Sequence, residues 1–102
     1  EGTLLALLVR PAALGTLYAG VNGTITGTAG TLASQACSEV LIQADPNNGT
    51  ANLLLGNGSI QPLILSPGES VILPVSNINL ITVKTSAGTG TANWLALPEI
   101  VT

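Results

Sequence analysis

Charge is the scarcest ingredient of this sequence: 7% of its 102 residues are acidic or basic, against about 25% in ordinary soluble domains. The carriers are Glu1, Glu39, Asp45, Glu69, Glu99, Arg10 and Lys84. Histidine, methionine and phenylalanine are absent, Trp94 and Tyr18 are the only aromatics, and Cys37 is the only cysteine. So few charges cannot clothe a whole surface in solvating side chains. Much of that surface is expected to lie against other protein.

Each shortage removes a class of function. Without Lys/Arg tracks or aromatic platforms, and with a net charge of -3, the chain would repel nucleic acid, so no nucleic-acid partner is expected. A lone cysteine forms no internal disulfide, and Cys37 reads as a small buried side chain. Lacking histidine, and with its acids isolated in sequence, the chain shows no metal-ligand cluster and no ordinary means of activating a nucleophile. It is therefore read as a non-enzyme with no cofactor and no metal. Asp45 with Asn47 and Asn48 forms the one oxygen-rich loop, and turn chemistry accounts for it better than calcium. The apolar run over residues 3–9 is too short to cross a bilayer and follows no basic leader, so neither a membrane nor a targeting segment is expected.

What is present is aliphatic. Hydrophobic residues make up 46% of the chain, nearly all Leu, Val, Ile and Ala, and they alternate with polar residues between clusters of Gly, Asn, Pro, Ser and Thr. That is the signature of short strands joined by tight turns. In residues 38–44, Val40, Ile42 and Ala44 share one face while Leu41 and Gln43 take the other. Asp45-Pro46-Asn47-Asn48-Gly49 turns the chain into a strand over 51–55, and Gly56-Asn57-Gly58 turns it again. Residues 60–65 follow as an edge strand, because Pro62 lacks a ladder donor. Ser66-Pro67-Gly68-Glu69 leads into 70–75, with Val71, Leu73 and Val75 on one face. Residues 77–79 link this to 80–85, the two strands being expected to lie close in one sheet. The turn at 86–90 is expected to close a hairpin onto 91–97, with Trp94 capping one end of the core.

The first third has weaker boundaries. Residues 4–9 and 21–25 look strand-like, and the Gly/Thr-rich stretch to about residue 30 suits either an extended arm ordered by a neighbour or ordinary outer strands. The expected architecture is all-β: a small antiparallel β-sandwich or jelly-roll-like barrel over 33–102, with residues 1–32 as an N-terminal arm or outer strands. Leu4, Leu5, Leu7, Leu8, Val9, Tyr18, Val21 and Ile25 are the candidate assembly interface. Three Asn-Gly-Thr/Ser triplets, at Asn22, Asn48 and Asn57, match the glycosylation pattern but read as turns.

An ordered series runs from Cys37-Ser38-Glu39-Val40-Leu41-Ile42-Gln43-Ala44 through Asp45-Pro46-Asn47-Asn48 and a strand ending at Gly56. It continues with Leu65-Ser66-Pro67-Gly68-Glu69-Ser70 and ends at Asn93-Trp94-Leu95-Ala96. This series resembles small β-structured virion proteins of tailed bacteriophages, including head decoration and minor head or tail proteins. The resemblance implies a structural role without catalytic residues. The expected function is that of a capsid decoration or cement subunit on the exterior of a phage head, a homo-oligomer with a trimer favoured, whose other partner is the phage major capsid protein. A rival expectation is a receptor- or carbohydrate-binding module of a tail or fibre, using loops at Asn47, Asn48, Asn57, Asn77 and Asn79. The scarcity of aromatic rings weighs against it. A surface-layer or pilus-like subunit would share the same composition and assembly logic.

Overall fold

Alternation in the sequence becomes alternation in burial. Along the strand Glu39–Ala44, Val40, Ile42 and Ala44 are buried while the residues between them are half-exposed, as the two-residue period of an extended chain requires. The computed structural model describes residues 16–98, which form eight strands. These are β1 (Tyr18–Ile25), β2 (Gly30–Thr31), β3 (Glu39–Ala44), β4 (Leu53–Gly56), β5 (Leu63–Leu65), β6 (Ser70–Leu73), β7 (Thr82–Thr85) and β8 (Gly90–Leu97).

Two four-stranded antiparallel sheets result, ordered β1-β8-β3-β6 and β2-β7-β4-β5. First pairs with last, second with seventh, third with sixth and fourth with fifth. This nested pairing is jelly-roll winding, which rolls one long hairpin into two facing sheets. The fold is thus all-β, as expected. Between the sheets lies an aliphatic core that includes Ile25, Val40, Ile42, Leu53, Leu55 and Val83. Trp94 packs on this core beneath Gly20, where an added Cβ would collide with the indole ring.

Two sequence expectations are corrected by the winding. β6 and β7 do not share a sheet: the chain crosses from the first to the second through a 3-10 turn, Ile78–Leu80, whose Ile78 is fully buried. The 86–90 turn likewise joins strands of opposite sheets, so β7 and β8 make no hairpin ladder. β4 and β5 form the one consecutive pair hydrogen-bonded to each other. The same turn chemistry serves a reversal within a sheet and a step across the sandwich, so turn residues alone did not distinguish them. Of the two readings left open for the first third, residues 18–31 take the second, outer strands, because β1 lies along β8 and β2 along β7. The candidate strand over residues 4–9 lies outside the described residues.

Side chains tie the crossings down. Asn48 reaches from the β3–β4 turn to Thr91, accepting from its N–H at 2.9 Å and donating to its carbonyl at 3.1 Å. Asp45 accepts from the Asn47 N–H at 2.8 Å and from the Asn93 amide at 3.2 Å, so the oxygen-rich loop is engaged in its own turn. In the β5–β6 turn, the Glu69 N–H donates to the Ser66 carbonyl at 2.9 Å, and the Glu69 carboxylate accepts from the Ser66 N–H at 2.7 Å. At the opposite end, Asn77 accepts from the N–H groups of Gln35 and Asn79, both at 3.0 Å. Cys37 is buried, and its thiol donates to the Val75 carbonyl at 3.0 Å.

A bulge shifts the register of β1 between Asn22 and Ile25, and Thr24 there has φ of 60°. A left-handed conformation costs an L-residue with a Cβ about 1–2 kcal/mol, and a β-branched one is a clear outlier. Glycine escapes that cost but loses more entropy on folding, about 0.5–1 kcal/mol. Thr24→Gly is therefore expected to stabilise the protein by about 0.5–1 kcal/mol in urea unfolding. A loss of stability would mean that the Thr24 side chain makes an interaction that offsets its backbone.

Candidate functional site: the outer face of the first sheet

Residues directly opposite one another in an antiparallel ladder point to the same side of the sheet. With Val40, Ile42, Ala92 and Ala96 turned inward, the registers place Ala19, Leu95, Leu41 and Ile72 in one row across the outer face of all four strands. This row is wholly aliphatic. The next row runs Val21, Asn93, Gln43 and Ser70, in which the Asn93 amide donates to Gln43 at 3.2 Å. On the other side of the aliphatic row, Leu97 stands opposite Glu39. Glu39 is the single charged residue of the three rows.

These rows line a shallow depression of about 330 Å³ whose wall includes Val21, Leu41, Gln43, Asn93 and Leu95. Val21 is 67% exposed and Ile72 is 54% exposed, with Leu17 and Tyr18 also among the exposed large apolar residues. The face has the composition of an interface centre: aliphatic, poor in charge, with a few polar groups to fix register.

The edges of the sheets differ in how they are guarded. β6 has four residues and runs into Pro74, β5 has three and follows Pro62, and β2 has two. Shortness and proline both discourage pairing with another chain. β1, at eight residues, carries neither charge nor proline. A bulge interrupts its second half, and among the described residues the backbone over residues 18–22 is an unpaired edge beside the aliphatic face.

Of the residues expected from sequence to form an interface, Leu4, Leu5, Leu7, Leu8 and Val9 lie outside the described residues. Val21 is on the outer face, and Tyr18 stands half-exposed on the open edge. Ile25 corrects the expectation: it is 8% exposed and belongs to the core, because the bulge that precedes it turns its side chain inward. Sequence reasoning missed Leu41, Leu95 and Ile72. Each interrupts an alternation with an aliphatic residue on the supposedly wet side, and that excess was the available signal.

The loops proposed for sugar recognition are engaged in the fold. Asn48 clamps Thr91, Asn57 accepts from the Ser59 N–H at 3.3 Å, and Asn77 holds Gln35 and Asn79. Trp94 faces inward, its indole N–H donating to Asn22 at 3.0 Å. The three Asn residues of the glycosylation-like triplets, Asn22, Asn48 and Asn57, are thus all hydrogen-bonded within the chain.

The described residues define a jelly-roll sandwich with one aliphatic, charge-poor outer face. No protein-family model and no curated protein matches the sequence. A solved structure from Bacillus endospore appendages, described as a family of disulfide-linked pili, is similar at a TM-score of 0.43 and 14% identity, covering 82% of this chain and 90% of that one. A likeness that distant has no bearing on what this chain does.

Proposed function

We propose that the protein is a non-catalytic structural subunit that works by packing against copies of itself, and that the assembly it serves is the exterior of a phage head, as a decoration or cement subunit contacting the major capsid protein. The aliphatic row of Ala19, Leu95, Leu41 and Ile72 carries this reading. A row of aliphatic side chains across a sheet's outer face contributes nothing to its own core. Covered by a partner, it is worth about 2.5 kcal/mol for each 100 Å² of apolar surface removed from water, before association costs. Few charges have to be desolvated in the process, and the open edge of β1 offers backbone pairing beside the same face. The charge-poor composition is the whole-chain counterpart of this local feature. A sugar-binding module is less well supported, since Trp94 is committed to the core and Tyr18 is the only other aromatic ring.

Light scattering on the full chain tests the self-assembly. The wild type is expected to form a closed oligomer, with a trimer favoured, at micromolar concentration. Leu41→Glu is expected to weaken it at least 100-fold while keeping the β-rich circular dichroism spectrum, because the side chain points away from the core. A monomeric wild type, or a variant that assembles unchanged, would overturn the reading. Antibody labelling of virions in the electron microscope tests the placement: label over the head is expected, and label confined to the tail would refute it.

A further inference from the structure

Three asparagines among the described residues precede glycine: Asn22-Gly23, Asn48-Gly49 and Asn57-Gly58. Glycine has no Cβ to shield its backbone nitrogen, which lies within reach of the amide carbon of the preceding side chain. The surroundings of the three pairs differ. Asn48 is clamped through both side-chain atoms, its oxygen accepting from the Thr91 N–H and its nitrogen donating to the Thr91 carbonyl. Asn22 lies in β1 opposite Ala92, with its oxygen accepting from the Trp94 indole. Closing a ring there would swing the following peptide group out of a paired strand. Asn57 is exposed in the turn between β4 and β5. Its Oδ1 accepts from the N–H groups of Ser59 at 3.3 Å and Ile60 at 3.5 Å, while its Nδ2 has no hydrogen bond among the described residues.

We infer that Asn57-Gly58 is the site at which the folded protein deamidates first, by attack of its own backbone with water as the co-reactant. The Gly58 nitrogen attacks Asn57 Cγ. The N–Cγ bond forms as the Gly58 amide proton passes to a solvent base. The Cγ–Nδ2 bond breaks as the side-chain nitrogen takes a proton from water and leaves as ammonia. Water then opens the cyclic imide at either carbonyl, giving aspartate or isoaspartate, with no change of oxidation state. The two N–H donors on Oδ1 stay in place while negative charge builds on that oxygen, which stabilises the intermediate, and Nδ2 departs without breaking a contact. One hydrogen bond is given up, from the Gly58 N–H to the Thr82 hydroxyl at 2.8 Å. At Asn48 the departing nitrogen is itself held, and its loss opens the clamp between the β3–β4 turn and β8. The product matters for the local surface. Asn57 lies in the wall of a groove of about 340 Å³ with Ile60, Pro62, Leu73 and Leu80, and no charged residue lines it. Deamidation places a carboxylate there and adds a negative charge to a chain whose net charge is -3. The isoaspartate form also lengthens the main chain by a carbon beside Gly56, where the Ile60 backbone already occupies the space of a Cβ. The reaction needs only water and does not depend on assembly.

Ageing of the full chain in mildly alkaline buffer tests it. Peptide mapping by mass spectrometry follows the amide-to-acid mass gain at each asparagine, and labelling with an isoaspartyl methyltransferase detects the isoaspartate. Asn57 is expected to convert at least tenfold faster than Asn22 or Asn48. The same chain unfolded in guanidinium chloride is expected to convert at all three at similar rates, because the following glycine alone then governs them. Asn57→Gln, whose longer side chain cyclises far more slowly, is expected to remove the fast step and leave the other two sites unchanged. Folded chains that convert at Asn22 or Asn48 as fast as at Asn57 would overturn the inference. So would an Asn57 that stays intact while the unfolded chain converts, or a fast step that persists in Asn57→Gln.

Discussion

Ile42→Ala is expected to lower the unfolding free energy by about 3–4 kcal/mol, the loss found for large-to-small changes at fully enclosed core positions. Ile42 is fully buried at the centre of β3, opposite Trp94 on one side and Val71 on the other. Its neighbours sit on paired strands and cannot collapse into the space left behind, so the cavity persists. A domain of this size has about 5–15 kcal/mol of stability in total, and each kcal/mol moves the midpoint by about 4–8 °C. The thermal midpoint should thus fall by about 12–30 °C. Calorimetry on a variant held monomeric by Leu41→Glu separates this effect from any coupling to assembly. A fall below about 4 °C would mean that β3 is not the centre of the core.

Gly56→Ala is expected to cost about 3 kcal/mol, because here the crowding is against main chain. An added Cβ would overlap the Ile60 carbonyl oxygen and come within 2.6 Å of the Gln61 Cα. A flexible side chain could swing aside, but this backbone is held in place. The Asn57 N–H donates to the Ile60 carbonyl at 3.2 Å, the Gly58 N–H donates to the Thr82 hydroxyl at 2.8 Å, and the Gln61 amide donates to the same hydroxyl at 2.9 Å. Relieving the overlap means breaking this lattice or parting β4 from β5. Overpacking of rigid sites commonly costs about 1–3 kcal/mol, and a clash with tethered main chain belongs at the upper end. By contrast, at Gly20 the atoms an added Cβ would meet belong to the Trp94 side chain. An unchanged urea midpoint for Gly56→Ala would show that the 57–61 loop is free to move.

The two substitutions differ in how far each could be foreseen. Ile42 stands in an alternating strand whose inward face is evident from Val40, Ile42 and Ala44 alone, and burial follows directly from that pattern. Gly56 reads in the sequence as a turn glycine, one of several. That it is the one described glycine whose added Cβ would overlap a carbonyl oxygen depends on where residues 57–61 fold back, which Thr82, 21 to 24 residues away along the chain, helps to decide.

Local patterning by itself determined the all-β class, the aliphatic core, the turn at Ser66–Glu69, the edge character of the strand after Pro62 and the shortage of solvating charge. Each depends on the two-residue period, on the φ preferences of proline and glycine, or on composition, and those act over a few residues. Tertiary structure alone decided which strands are neighbours. Placing β6 and β7 in opposite sheets, turning Ile25 inward after a bulge, and lining up Ala19, Leu95, Leu41 and Ile72 all depend on register between segments tens of residues apart. A strand sequence specifies which of its faces is greasier; the partner strand determines whether the lesser grease becomes an isolated residue or part of a continuous surface. That is why composition raises the expectation of a protein partner, while only the fold shows which residues make a continuous aliphatic face.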